Sequence, residues 1–272
     1  MSSINGAPGP VLGFGHVDEV ANVVHVVVDD PTSVDVSPVP GDAVHVVQGT
    51  RFNEIADPNS SYSTGRGGIN IGVYTTSGGG GRWCTYAFNV WRSGAQAMIT
   101  AGHCSDGTTS ALIADISVDM KQPQGGTLRA NNAVAYRRLS PVADGMYILT
   151  SYASNNCYIT GGSSCVHITS RKANDSDQVG DTVCGGLAAT GIYKCGTLEA
   201  KGISGYSPKG VWMTNLRRWS LVNPPGDSGA GLKNGGTAVG LLMFVDPNNS
   251  NHGIYAEIRR VETDLGVTVR TS

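Results

Sequence analysis

The sequence predicts an all-β protein, built as barrels with one C-terminal helix, on three observations. Short β-branched-rich runs recur between Gly, Pro and Asn turn signals, 38 of the 272 residues are glycine, and one stretch alone carries an apolar repeat at helical spacing. After a Gly/Pro-rich lead, Val23–Val28 and Ala43–Val47 read as strands, separated by the turns at Asp29-Asp30-Pro31 and Pro38–Asp42. Residues 56–68 are small, polar and Gly-rich, the composition of a linker, and mark the one boundary in the chain. Strand-like runs follow at Ile69–Tyr74, Thr85–Trp91, Ala97–Thr100, Met146–Leu149, Cys157–Ile159, Val211–Thr214 and Thr237–Val245, punctuated by turns such as Ser77–Gly81, Gly161-Gly162 and Asn234–Gly236. The helix is expected over Ile254–Leu265, where Ile254, Ile258, Val261 and Leu265 recur at helical spacing and Gly266 stops it. No internal repeat of fixed period is visible.

Charge and cysteines narrow the function. A net charge of −2, with 15% of residues charged, argues against nucleic acid or an anionic membrane as partner. No run of eighteen apolar residues is present to span a bilayer. The six cysteines, Cys84, Cys104, Cys157, Cys165, Cys184 and Cys195, form no CxxC pair and no Cys/His cluster of zinc-finger spacing. No metal site is expected. The even number points instead to three disulfides and an oxidising compartment, with about 15 connectivities open. Met1 to Pro10 hold no basic region followed by an apolar core, so an exported chain is expected to have lost its signal, Met1 being a start added afterwards.

Two strings carry chemistry. Thr100-Ala101-Gly102-His103-Cys104 directly follows an apolar run, and Gly226-Asp227-Ser228-Gly229-Ala230-Gly231 lies in a loop after Asn223-Pro224-Pro225. A histidine after a strand is by itself usually structural, and an isolated GDSG is usually a turn. TAGHC, however, arises by chance roughly once in three million positions, and here it precedes GDSG in the same chain. Acyl transfer by a hydroxyl needs a serine beside an imidazole, and a carboxylate to hold the imidazole's tautomer. Small residues around Ser228 let the Gly226 and Ser228 N–H groups converge on a developing oxyanion. The remaining histidines, His16, His25, His45, His167 and His252, show no ligand spacing. Asn59, Asn174 and Asn248 head glycosylation sequons, relevant in a glycosylating host.

With these strings the chain resembles the chymotrypsin-like serine peptidases, especially their secreted bacterial branch of streptogrisins and α-lytic protease. The resemblance covers most of residues 67–272. It runs from Gly67-Gly68-Ile69-Asn70-Ile71 through Arg82–Val90 and TAGHC to Val183-Cys184-Gly185-Gly186. It continues with Thr190–Thr197, Gly253-Ile254-Tyr255 and the terminal Leu265–Val269. It implies two six-stranded Greek-key barrels with the active site between them, no cofactor, polypeptide substrates, secretion and a monomer. It also places an acid between the histidine and the serine, before a short apolar strand. Of Asp106, Asp115, Asp119, Asp144, Asp175, Asp177 and Asp181, only Asp144 leads into such a run, with Asp119 as runner-up. The implied roles are Ser228 as nucleophile, His103 as general base and acid, and Asp144 as the group orienting the imidazole. The implied disulfides are Cys84–Cys104 and Cys184–Cys195, which leaves Cys157 and Cys165 for each other.

Three departures from the family pattern matter. Gly185 stands where the branch has an arginine that pairs with the aspartate before the nucleophile, so Asp227 needs another partner, such as a different arginine or a freed amino terminus. Met243, Phe244 and Val245 replace the Ser-Gly-Gly-like or Ser-Trp-Gly-like strand beside the substrate. Met243 brings no hydroxyl to the acid, and Val245 narrows the specificity pocket. Val222 replaces the aspartate that selects Arg and Lys, so a small or medium apolar residue is expected before the scissile bond. Ala230, where glycine is usual, is a mild change unless its φ is positive. Residues 1–66 resemble the tail of a pro-region, which in this family binds its own enzyme and is removed by a cut, expected here between about Tyr62 and Gly68. The expected function is a secreted serine endopeptidase. The alternative is a silent homologue that binds peptide without cutting it, and an esterase of unrelated fold is disfavoured because no GxSxG elbow surrounds Ser228.

Overall fold

The computed structural model describes residues 15–18, 23–28, 44–48, 65–75, 82–105, 110–121, 127–160, 165–189, 192–221, 223–246 and 249–272. The chain forms two compact units, Met1–Phe52 and Asn53–Ser272. In the first, β1 (Gly15–Asp18), β2 (Val23–Val28) and β3 (Val44–Gln48) make a three-stranded sheet, with β1 antiparallel and β3 parallel to the central β2.

The second unit holds two barrels. The first contains β4 (Asn70–Thr75), β5 (Arg82–Thr85), β6 (Phe88–Arg92), β7 (Ala95–Ala101), β8 (Ala111–Lys121), β9 (Thr127–Leu139) and β10 (Asp144–Leu149). Only Tyr86 and Ala87 separate β5 from β6, and the pair acts as one bent strand, β5 pairing with β4 and β6 with β7. The ring therefore closes in the order β4, β5/β6, β7, β10, β9, β8, each pair antiparallel. A hairpin of β11 (Cys157–Ile159) and β12 (Cys165–His167) and a short β13 (Ser170–Arg171) lead to the second barrel. There β14 (Thr182–Leu187), β15 (Ile192–Tyr206), β16 (Trp212–Trp219), β17 (Gly231–Asn234), β18 (Thr237–Asp246) and β19 (Asn249–Glu257) close as β14, β15, β16, β19, β18, β17. Strand for strand, the order is the same in both barrels.

Burial explains which strands form the middle of the molecule. Along β7, Met98 points into the first barrel, while Ala97 and Ile99 face the core shared with the second. In β10, Met146 and Ile148 point inward and Tyr147 outward; in β18, Val239 and Leu242 fill the second barrel while Ala238, Leu241 and Met243 face the shared core. Strands buried on both faces read as continuous apolar runs. Helix α1 (Ile258–Leu265) packs Ile258, Val261 and Leu265 on that same core, and β20 (Thr268–Val269) pairs with β6. The helix starts four residues later than its apolar spacing predicts, because Ile254–Glu257 pair as strand with β16 and β18. Gly266, at φ 64°, caps it in the left-handed conformation. Disulfides join Cys84 to Cys104, Cys157 to Cys165 and Cys184 to Cys195.

Candidate active site

The chain leaves β7 in a single 3₁₀ turn, Gly102–Cys104, that carries His103. The Cys84–Cys104 bridge ties this turn to β5, and Thr100 Oγ1 donates to the Thr85 carbonyl at 2.8 Å just before it. Asp144 opens β10, the strand paired with β7, so carboxylate and turn are neighbours by register. His103 Nδ1 lies 2.6 Å from Asp144 Oδ2. A carboxylate only accepts, so Nδ1 carries the proton and Nε2 is left bare to take one. The Asp144 side chain is 4% exposed and that of His103 25%, leaving one edge of the ring open. The other side of the ring stacks on Phe244, with centroids 5.7 Å apart at 24°. The loop leading to Asp144 is held by α1, whose Asp264 accepts from Ser140 Oγ at 2.9 Å and pairs with Arg138 at 2.8 Å.

The rival acids are accounted for differently. Asp119 takes a two-pronged contact from Arg129 at 2.5 and 2.7 Å, Asp175 and Asp177 surround Arg217, and Asp181 pairs with Lys172. Asp106 and the Asp115 side chain lie outside the described residues. Among the described residues, no three His, Cys, Asp or Glu side chains cluster as metal donors.

Ser228 sits on the loop between β16 and β17. The loop is pinned from two sides: Thr85 N–H donates to the Ser228 carbonyl at 2.9 Å and Gly229 N–H to the Leu242 carbonyl at 2.8 Å. Gly226 (φ 106°) and Gly229 (φ 85°) occupy backbone conformations that favour glycine, and a Cβ at Gly229 would stand 2.1 Å from Thr100 Oγ1. Ala230 is fully buried but not at positive φ, so alanine fits there. The N–H groups of Asp227, Gly229 and Ala230 are spent on carbonyls, whereas those of Gly226 and Ser228 have no backbone acceptor among the described residues. Asp227 is fully buried, and its Oδ1 accepts the Ala189 N–H at 2.9 Å. Its charge acts on Lys194, whose ammonium burial pulls below its ordinary value while Asp227 works the other way. Lys194, on β15, is the cross-strand partner of Gly185. Sequence reading missed Lys194, since only the β14–β15 register brings it there.

Ser228, His103, Met243, Phe244 and Val245 line one cleft of about 350 Å³. Val222 lies outside the described residues. Met243 Sδ accepts the backbone N–H of Asp144 at 3.1 Å, a different contact from a hydroxyl bonding the carboxylate. Among the described residues no hydrogen bond joins the Ser228 hydroxyl to the ring.

No profile of a known protein family matches the chain. Serine protease 2 of Streptomyces fradiae is 32% identical over 176 residues, which cover 60% of this chain and 86% of that protein. The chain belongs to the chymotrypsin-like serine peptidases. This peptidase chain is also 26% identical over 200 residues to streptogrisin-C of Streptomyces griseus, spanning 39% of that protein's length. The crystal structure of Nocardiopsis protease superposes with a TM-score of 0.56 at 20% identity, covering 76% of this chain and 98% of that one, a likeness of fold.

Proposed function

We propose that the chain is a secreted serine endopeptidase acting through Ser228, His103 and Asp144. The observation that carries this reading is the 2.6 Å contact from His103 Nδ1 to the buried Asp144, beside a cleft that Ser228 also lines. In the proposed reaction Ser228 Oγ attacks the scissile carbonyl as its proton passes to His103 Nε2. Asp144 stabilises the imidazolium that forms, and the ring then protonates the leaving amine. The uncommitted N–H groups of Gly226 and Ser228 would receive the oxyanion. Val245 on the cleft wall favours a small or medium apolar residue before the scissile bond; efficient cleavage after Arg or Lys would refute that preference. Three disulfides favour an oxidising destination. Among the described residues no helix is long and apolar enough to cross a membrane.

Residues 1–66 are proposed as a pro-region-like segment and 67–272 as the peptidase domain. Gly65 N–H donates to Tyr152 O, Gly67 N–H to Cys157 O and Gly68 N–H to Tyr86 O, so the proposed cut, between about Tyr62 and Gly68, falls at the edge of the packed domain. The missing Ser228–His103 hydrogen bond favours a second reading, a homologue that binds peptide without cutting it. A fluorophosphonate probe separates the two. Stoichiometric labelling at Ser228, with Ser228→Ala lowering kcat by about 10⁴ or more at unchanged Tm, is the expected result. An unlabelled folded chain that still binds peptide would establish the silent reading.

A further inference from the structure

The cleft continues past His103. A second lobe of about 220 Å³ shares His103, Pro208 and Phe244 with the first and is walled by β9 on one side and the β15–β16 turn on the other. Its lining carries three cations, Arg82, Arg137 and Lys209, and a single carboxylate, Asp144, which His103 already engages. The chain as a whole has a net charge of −2, so this positive charge is a local feature.

Two of the cations are held by the fold. Arg137 is 5% exposed and donates from its guanidinium to the buried Ser105 Oγ at 2.9 Å. Lys209 stands in a fixed turn: Ser207 Oγ accepts the N–H groups of Lys209 at 3.3 Å and Val211 at 3.1 Å, and Ser207 N–H donates to the Val211 carbonyl at 2.8 Å. Across the hairpin, the rings of the paired Tyr206 and Trp212 meet edge to face at 4.9 Å. Among the described residues the Lys209 ammonium makes no ion pair, so it is available to a ligand.

The strand geometry says which substrate residue reaches this lobe. Phe244 and Val245 pair with β19 on one side, while β17 pairs with β18 no farther than Leu241. Among the described residues no strand pairs with the other edge of Phe244 and Val245, which lines the cleft, the arrangement in which a substrate adds as a strand. Side chains of an added strand alternate. With the residue before the scissile bond turned into the lobe beside Ser228 and Val245, the residue preceding it faces His103 and the cationic lobe. We infer that this lobe is a subsite for an acidic side chain, aspartate or glutamate, two residues to the amino side of the scissile bond.

This inference rests on the peptidase reading, and the experiment keeps the two apart. The full chain is first titrated with a fluorophosphonate. A separate, unlabelled portion of the same preparation is given peptides that share an alanine before the scissile bond and carry Glu, Gln or Lys at the preceding position. The expected kcat/KM for Glu exceeds that for Gln by about tenfold and that for Lys by more, with the advantage shrinking in high salt. Lys209→Glu lowers the Glu-to-Lys ratio by at least about tenfold, and Lys209→Gln lowers it by less. Equal rates for the three peptides in a preparation whose titrated portion labels overturn the acidic subsite. Absence of both labelling and cleavage overturns the peptidase reading, and the subsite with it.

Discussion

A Cβ at Gly102 would stand 2.3 Å from Asp144 Oδ1, so the carboxylate reaches the imidazole only because position 102 lacks a side chain. Gly102→Ala is therefore expected to push Asp144 off His103 and lower kcat/KM by about 10², with Tm little changed. Activity within threefold of the parent would show that the contact is not limiting. Met243 holds the backbone of the same residue, Asp144. It is 1% exposed, and its thioether receives the Asp144 N–H. Met243→Ala would remove that acceptor and open a cavity, at a cost of about 2–5 kcal/mol in urea denaturation. Loss of less than half a kcal/mol would mean the site collapses without penalty. His103 and Ser228 were legible because their strings combine a reactive residue with the small neighbours its backbone needs. The Met243–Asp144 contact and the influence of Asp227 on Lys194 were not, since each depends on a residue far away in sequence.

At the level of elements, legibility followed burial. The strands β7, β10 and β18 face two cores and gave uninterrupted apolar runs. In contrast, β8, β9 and β15 present one face to solvent, and bulges at Ile113–Val118 and Leu198–Gly205 break their alternation. Such strands carry little periodic signal. Buried charge joins several elements of the second barrel. Arg217 on β16 is fully buried; it bonds Asp177 at 2.6 Å, Glu257 at the end of β19 at 2.8 Å, and Asp175 at 2.9 Å. Lys201 on β15 reaches Asp177, and Arg260 on α1 reaches Glu257. Removing the central cation leaves two nearly buried carboxylates with a single cation each, Lys201 for Asp177 and Arg260 for Glu257. Arg217→Met should destabilise by about 3–5 kcal/mol, and Arg217→Lys should recover only part, because an ammonium cannot reproduce the planar fork. Equal Tm values for Arg217→Met and the parent would show that the network is dispensable.

The second unit repeats one strand order twice, with no repeat visible in the sequence. Closing a barrel depends on pairings between distant strands, whereas periodicity reports only local alternation. The same separation of scales governs the charges that set stability over the pH range. Hydrogen bonding to Arg217 and Asn215 holds Asp175 below the ordinary 3.8, and Lys172 does the same for Asp181. Burial works to raise Asp177, but Arg217 and Lys201 keep it below that value too. Their contribution is therefore present above pH 3.8 and lost as pH falls through the lower folded values. Lys233 on β17 acts in the opposite range. It is 2% exposed, lies 4.9 Å from the Tyr193 ring centroid and 5.7 Å from that of Tyr158, and burial pulls its ammonium from 10.5 down to about 8. Between those values the unfolded chain binds the extra proton, so stability rises with pH, and the cost of burying the ammonium is felt in full below pH 8. Lys233→Met keeps the aliphatic stem and removes the charge. Its Tm should exceed the parent's at pH 7, and the parent's gain between pH 8 and 10.5 should vanish in the variant. A parallel rise in both proteins, followed by calorimetry across that window, would assign the effect to another group.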